Sequence, residues 1–185
     1  MNFEIFHRGR YPQDKPAAQE SRIGDSWEGD EAERFFRGRH SKDVNYQSLS
    51  EEYRKDWSIA PCLLNEDAYL FFLPAFMKIA LEDYEQGETP TLTVTVISDF
   101  LEMARGELDS RLLPILRTFT SAQLSFIATY LQEVNDRYYH ALGSDNDAAM
   151  ALNLFWHQFK NPFVGETPSD VRDELGNFLK RGLPW

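Results

Sequence analysis

The chain has 185 residues, of which 42% are hydrophobic and 14% aromatic, which is sufficient for one globular domain with a hydrophobic core. Its 19 basic and 30 acidic residues give a net charge of −11, which disfavours nucleic acid and anionic lipid as partners. The single cysteine, Cys62, excludes an intramolecular disulfide. Because we find neither an export signal at the N-terminus nor a long apolar run, we expect a cytoplasmic protein that does not span a membrane.

The first part of the chain lacks sustained periodicity. Residues 1–26 contain several glycines and prolines, so we expect an extended N-terminal arm followed by a single helical domain over residues 27–185. Residues 30–37 place acids in a first helical turn and arginine near the end, and Gly38 follows. This charge distribution matches the helix dipole and predicts a short helix that Gly38 ends.

Two further helices are expected before residue 90. Ser48 or Ser50 is suited to cap a helix through Trp57. Residues 65–84 are apolar on nearly all sides, a pattern typical of a buried central helix. Pro74 lies inside that helix and predicts either a kink or a break.

Residues 91–97 fit two different elements. They alternate polar and apolar side chains as a strand does, yet Val94 also belongs to a helical face that continues to Arg105. A strand needs a partner, and only residues 2–6 show a comparable alternation. We therefore predict a helix over residues 94–105 and retain a small β-hairpin of 2–6 and 91–97 as the alternative.

The C-terminal half contains the clearest helical pattern. Thr120 and Gln123 form a capping box at the start of an apolar stripe over residues 120–142. A second helix is expected over residues 147–158, and a last one begins at Thr167. The sequence as a whole predicts a mainly all-α, compact multi-helix domain.

A cluster of cations is the clearest candidate for an anion-binding site. Arg34, Arg37, Arg39 and His40 lie close together in an otherwise acidic chain. Guanidinium groups bind carboxylate and phosphate through paired hydrogen bonds. The alternative is that these arginines pair with the chain's own carboxylates and fix the first helix to the core.

The remaining candidates for chemistry are weak. Asp136 and His140 share a helical face, but two ligands do not complete a metal site. Cys62 has apolar neighbours, so we expect a buried, inert thiol. We find no nucleophile elbow, phosphate-binding loop or dinucleotide-binding motif, and so we expect no catalytic residue, no metal and no cofactor.

Large aromatic side chains are the other indication of function, because Trp and Tyr concentrate binding energy at protein interfaces. The alternative is that they fill the core. The residues concerned are Trp27, Trp57, Trp156, Trp185, Tyr138 and Tyr139.

Three segments together resemble an uncharacterised family of small acidic bacterial proteins, a domain of unknown function. They are residues 36–40 (FRGRH), 68–77 (AYLFFLPAFM) and 119–131 (FTSAQLSFIATYL). The resemblance spans about residues 27–135 and implies a fold but no activity, cofactor or site residue. In size, charge and composition such proteins are similar to immunity proteins that neutralise bacterial toxins.

Two functional hypotheses follow. The first is a non-enzymatic module that binds a basic protein, a bacterial toxin being one candidate, as an immunity protein does. Its contact residues would be the aromatic anchors and nearby acids Trp27, Tyr139, Glu82, Asp83, Glu85 and Glu88. The second is a small enzyme or anion-binding protein built on Arg37, Arg39 and His40. A concavity lined by these cations would favour the second hypothesis, and a broad acidic face would favour the first.

Overall fold

The computed structural model describes residues 1–6, 9–24, 26–86, 91–138 and 146–160, and within these ranges it is all-α, as predicted. The α-helices are α1 Trp27–Phe36, α2 Tyr46–Glu52, α3 Ala60–Leu63, α4 Glu66–Gln86, α5 Thr91–Arg105, α6 Asp109–Thr118, α7 Ser121–Tyr138 and α8 Asp147–Leu154. Short 3-10 turns cover Phe3–Phe6, Glu20–Arg22, Ser41–Asp43, Trp57–Ile59 and Trp156–Phe159.

The chain divides into two compact units, Met1–Ser98 and Asp99–Trp185, which we call unit 1 and unit 2. The division falls within α5, whereas the sequence alone predicts a boundary at residue 26. Over the described ranges, no helix combines the length and apolar character that a bilayer crossing requires.

Residues 9–24, which we expected to be part of an extended arm, pack against the helices of unit 1. Tyr11 is 2% exposed, and Ala17 and Ala18 are fully buried. Ala18 forms an isolated antiparallel bridge with Leu64, and the Asn65 N–H donates to the Ala17 carbonyl at 3.0 Å. Tyr11, Ala17 and Ala18 therefore belong to the core of unit 1 and attach this otherwise largely exposed segment to the helices.

Helix α1 begins three residues earlier than predicted because Ser26 caps it. The Ser26 hydroxyl accepts a hydrogen bond from the Gly29 N–H at 3.0 Å. Gly29 is buried, and the carbonyl of Arg22 lies against its Cα, where a Cβ would collide with it. Gly38 follows the helix with φ of +68°, a conformation that glycine adopts without the steric cost of a Cβ, and it ends the helix as predicted.

Helices α2 and α4 correspond to two predicted helices and differ from them in detail. Helix α2 is capped by Asn45, which forms a reciprocal capping box with Ser48, and it ends at Glu52 rather than Trp57. The prediction that Ser48 or Ser50 caps this helix was therefore wrong: the cap is Asn45, and Ser48 occupies the third helical position. Helix α4 continues through the buried Pro74 without a break.

The alternative β-hairpin is not found, since Phe3–Phe6 is a 3-10 turn and Thr91 begins α5. Helical spacing decides the outcome: Leu92, Val96 and Ile97 are buried, while Val94 is 52% exposed. A strand would have placed Leu92, Val94 and Val96 on one face. The helix thus begins at Thr91, three residues before the predicted start at residue 94.

Unit 2 is built around α7 and the segments that follow it. The predicted capping box is confirmed, because Thr120 N–H donates to Gln123 Oε1 at 2.9 Å and Gln123 N–H to Thr120 Oγ1 at 3.3 Å. Trp156 is fully buried, and its indole N–H donates to the Phe100 carbonyl at 3.1 Å. Helix α6 was not predicted, and its buried Arg111 pairs with Asp99.

Substitution of Gly29 by alanine tests the packing of α1 on the preceding turn. Alanine usually stabilises a helix by up to about 1 kcal/mol relative to glycine. Here we expect Gly29→Ala to lower the free energy of unfolding by about 1–3 kcal/mol, because the methyl group would collide with the Arg22 backbone. Denaturant titration measures this change.

Gly9→Ala is the matched control, since a Cβ at Gly9 would meet nothing within 4 Å. A Gly29→Ala protein as stable as the control would show that α1 does not pack on this turn as described.

Candidate functional site

Arg37, Arg39 and His40, three members of the predicted cluster, lie around one depression in unit 1. It has a volume of about 430 Å³, and Arg34 and Arg10 also line it. We call it the arginine depression. Arg10 was not predicted, because it lies 24 to 29 positions before the other arginines and only the fold brings it to them.

Backbone pairing positions Arg10 beside the cations that follow α1. Arg10 and His40 form an isolated antiparallel bridge, and the Tyr11 N–H donates to the Arg39 carbonyl at 2.9 Å. The Arg10 side chain then reaches across the end of α1, where Nη1 donates to the Gly38 carbonyl at 2.7 Å. The turn at Gly38 thus presents both a carbonyl and the two flanking arginines to this depression.

Arg34 and Arg37 have mainly structural contacts. Arg34 donates through Nε and Nη2 to the two carboxylate oxygens of Glu31, at 2.8 and 2.6 Å. This pairing lowers the pKa of the buried Glu31 carboxyl despite the opposing effect of burial. Arg37 donates to Glu33 at 3.2 Å and to the Gln13 carbonyl at 2.6 Å. Arg34 and Arg37 therefore fit the alternative interpretation, in which the arginines pair with the chain's own carboxylates.

Arg39 and Arg10 are less fully engaged. Arg39 Nη2 donates to a carboxylate oxygen of Glu52 at 2.7 Å, and its guanidinium lies 3.8 Å from the centroid of the Phe35 ring. Arg10 donates only to the Gly38 carbonyl among the described residues. A guanidinium has five N–H donors, so these described contacts engage one donor of Arg10 and one of Arg39, whose side chain is 20% exposed.

Arginines outnumber carboxylates among the residues that line the arginine depression, although the chain as a whole is acidic and three of these arginines are ion-paired. Four arginines line it, against two carboxylates, Asp43 and Glu52. Concave surfaces that carry one sign of charge focus the local field and concentrate counterions. The planar donors of Arg10 and Arg39 match carboxylate and phosphate oxygens.

The predicted acidic contact surface is only partly within the described structure. Glu82 is half-buried, and its carboxylate lies 3.9 Å from Lys78 Nζ. Glu85 lies in α4, but its side chain is outside the described part of the structure, as are Glu88 and Tyr139. These predictions stay untested.

Asp83 does not belong to an exposed acidic surface, because it is 1% exposed. Its carboxylate accepts hydrogen bonds from the Leu92 and Thr93 N–H groups at 3.1 and 3.3 Å and so caps α5. Burial raises the pKa of the Asp83 carboxyl, and the two backbone hydrogen bonds oppose this rise. Its role in the described structure is to hold α4 and α5 together.

Trp27 is the predicted aromatic anchor that the structure leaves accessible. It is 77% exposed at the start of α1, and Lys55 Nζ lies 4.4 Å from the centroid of its ring. By contrast, Trp156 and Tyr138 are buried, and Trp57 is half-buried against Tyr46. Trp185 lies outside the described residues.

Cys62 is exposed, so the prediction of a buried thiol was wrong. It lies in the four-residue helix α3, in which Ala60, Pro61 and Leu63 are buried. The apolar neighbours in sequence therefore face the interior, whereas Cys62 faces solvent. Asp136 accepts a hydrogen bond from Gln132 at 2.6 Å, while His140 is outside the described residues. No three His, Cys, Asp or Glu side chains within the described ranges lie close enough together to hold a metal ion.

Comparison with known proteins assigns the chain to a family without assigning an activity. The model of a family of unknown function, DUF6714, matches residues 6–160, and the chain belongs to this family. The resemblance to a domain of unknown function is thereby confirmed. No curated protein and no solved structure matches the chain.

Asp83→Asn tests the buried cap through the pH dependence of stability. Because the native carboxyl has a raised pKa, native protein binds a proton more tightly than unfolded protein does. We therefore compare the free energy of unfolding of the unsubstituted chain with that of Asp83→Asn. We expect the stability of the unsubstituted chain, relative to the variant, to fall as the pH rises from below the ordinary pKa of an aspartate through the raised pKa of Asp83. Urea titrations between about pH 3.5 and 7 measure this difference.

Glu82→Gln is the control, since it removes a carboxylate from the preceding, more accessible position of α4. If the free energy of unfolding of the unsubstituted chain, relative to Asp83→Asn, instead rose with pH, the raised pKa of Asp83 would be contradicted.

Proposed function

We propose that this member of the DUF6714 family binds, in the cytoplasm, a ligand that carries a carboxylate or phosphate group in the arginine depression. The observation that carries the proposal is the pair Arg10 and Arg39. Fold and backbone pairing bring them to one concave surface from distant parts of the sequence, and most of their donors are not engaged in the described contacts.

The ion pairs around the depression support this proposal by fixing the cations in place. Arg39 is held between the Glu52 carboxylate and the Phe35 ring, which limits its rotamers before a ligand arrives. A preorganised guanidinium loses less conformational entropy on binding than a mobile side chain does. Arg34 and Arg37, in turn, hold the end of α1 and thereby the turn from which Arg39 projects.

Replacement of Arg10 provides the first test. We expect Arg10→Ala to weaken binding of inorganic phosphate about tenfold or more, because hydrogen bonds to charged groups contribute about 1.5–3 kcal/mol. Arg39→Lys keeps the charge but loses the planar pair of donors, and we expect it to weaken binding as well. Chemical-shift changes of backbone amides during a phosphate titration measure the affinity.

Arg22→Ala is the matched control, since Arg22 is an exposed arginine of unit 1 that does not line the depression. Equal losses in Arg22→Ala and Arg10→Ala would mean that phosphate senses only the overall charge. Absence of localised shifts around residues 38–41 in the unsubstituted chain would reject the proposal.

A second candidate function is the binding of a basic protein, such as a toxin that an immunity protein neutralises. The observation that favours it is the exposure of Trp27, which is flanked by the exposed acids Glu28 and Asp30. Trp27 thus has two acids beside it and Lys55 against its ring, and exposed tryptophans are typical anchors of protein interfaces.

Trp27→Ala tests this second function. We expect its free energy of unfolding to change by less than about 1 kcal/mol, because the ring contributes mainly a contact with Lys55. Affinity purification from source cells should recover a basic protein with the unsubstituted chain and lose it with Trp27→Ala. Val94→Ala, which trims another exposed apolar residue of unit 1, should retain the protein. Failure of the unsubstituted chain to retain any basic protein would reject this candidate.

A further inference from the structure

A second cavity adjoins the arginine depression and has a different character. Its volume is about 220 Å³, and its apolar walls include Phe3, Phe6, Phe71 and Pro74. Phe6 and Pro74 are buried, and Phe3 and Phe71 are half-buried. The turn Phe3–Phe6 and helix α4 thus form an aromatic-walled space within unit 1.

His40 lines both this cavity and the arginine depression, so the two spaces share one residue. Its Nδ1 accepts a hydrogen bond from the Lys42 N–H at 3.3 Å. In the neutral ring the other nitrogen, Nε2, then carries the proton and is a donor. Lys42 and Lys78 add positive charge to the cavity wall, and Glu4 adds one carboxylate.

We infer that the ligand is a small amphiphilic anion whose apolar, aromatic body occupies the cavity and whose carboxylate or phosphate lies in the arginine depression. This inference rests on the proposed function, which concerns the anionic group alone. The ligand class is therefore an aryl phosphate or an aromatic carboxylate, and His40 contacts it where the ring and the anionic group join.

The size and lining of the cavity indicate the size and chemical character of the apolar part of the ligand. A closed apolar cavity of about 150 Å³ accommodates benzene, so this half-open space of about 220 Å³ has room for one substituted aromatic ring. Aromatic walls favour edge-to-face contacts with an aromatic guest. An extended polyanion fits neither the volume nor the apolar walls.

Comparison of inorganic phosphate with phenyl phosphate on the full chain tests the inference. We expect phenyl phosphate to bind at least about tenfold more tightly, because burial of the ring adds apolar contact while three phosphate oxygens stay available to the guanidinium groups. Ala75→Leu, which places a larger side chain in the cavity wall on α4, should abolish this gain and leave inorganic phosphate binding unchanged. Amide shifts measured in a titration report both affinities.

Two further variants separate the possible failures. Ala122→Leu adds the same side chain at an exposed position of α7, far from unit 1 in sequence, and should retain the tenfold gain. Phe3→Ala removes an aromatic wall near the start of the chain and should reduce the gain if Ala75→Leu proves unstable. Equal binding of the two phosphates to the unsubstituted chain would overturn this inference and leave the proposed function standing. Binding of neither phosphate would overturn both.

Discussion

Two carboxylates on α1, those of Glu31 and Glu33, hold unit 1 together. Glu33 Oε2 accepts hydrogen bonds from the Ala17 and Ala18 N–H groups, at 2.6 and 3.0 Å, and so ties the preceding segment to the helix. Glu31 Oε1 accepts one from the Arg54 N–H at 2.7 Å and so ties the chain after α2 to the same helix. Without these acceptors, the buried or half-buried backbone donors would lose their partners, at a cost of about 1–3 kcal/mol each.

The same two carboxylates also decide where positive charge is exposed. Glu31 and Glu33 pair with Arg34 and Arg37, which therefore contribute more to the position of α1 than to a ligand. Arg39 and Arg10 lie beyond these pairs. The proposed anion site thus lies beside the ion pairs that position α1: Arg34 and Arg37 belong to these pairs, whereas Arg39 pairs with Glu52 and Arg10 donates to the Gly38 carbonyl.

Elements that depend on residues close together in sequence could be predicted from the sequence. Features that depend on a residue distant in sequence could not. The Thr120 capping box and the end of α1 at Gly38 could be predicted because every participating group lies within a few residues. The cap of α5 could not, because Asp83 reaches Leu92 and Thr93 from another helix and is read from sequence as one more surface acid. Arg10 was missed for the same reason, since a backbone bridge to His40 leaves no periodic pattern.

The net charge of −11 and the local positive charge of the arginine depression act over different distances. At physiological ionic strength the screening length is about 8 Å, so a small anion in the depression interacts chiefly with the nearby guanidinium groups. A nucleic acid extends well beyond that distance, and its phosphates would meet the acidic remainder of the surface. The overall charge therefore does not exclude anion binding; it restricts the ligands to molecules small enough to fit within the positive region, which agrees with the volume and the aromatic walls of the adjoining cavity.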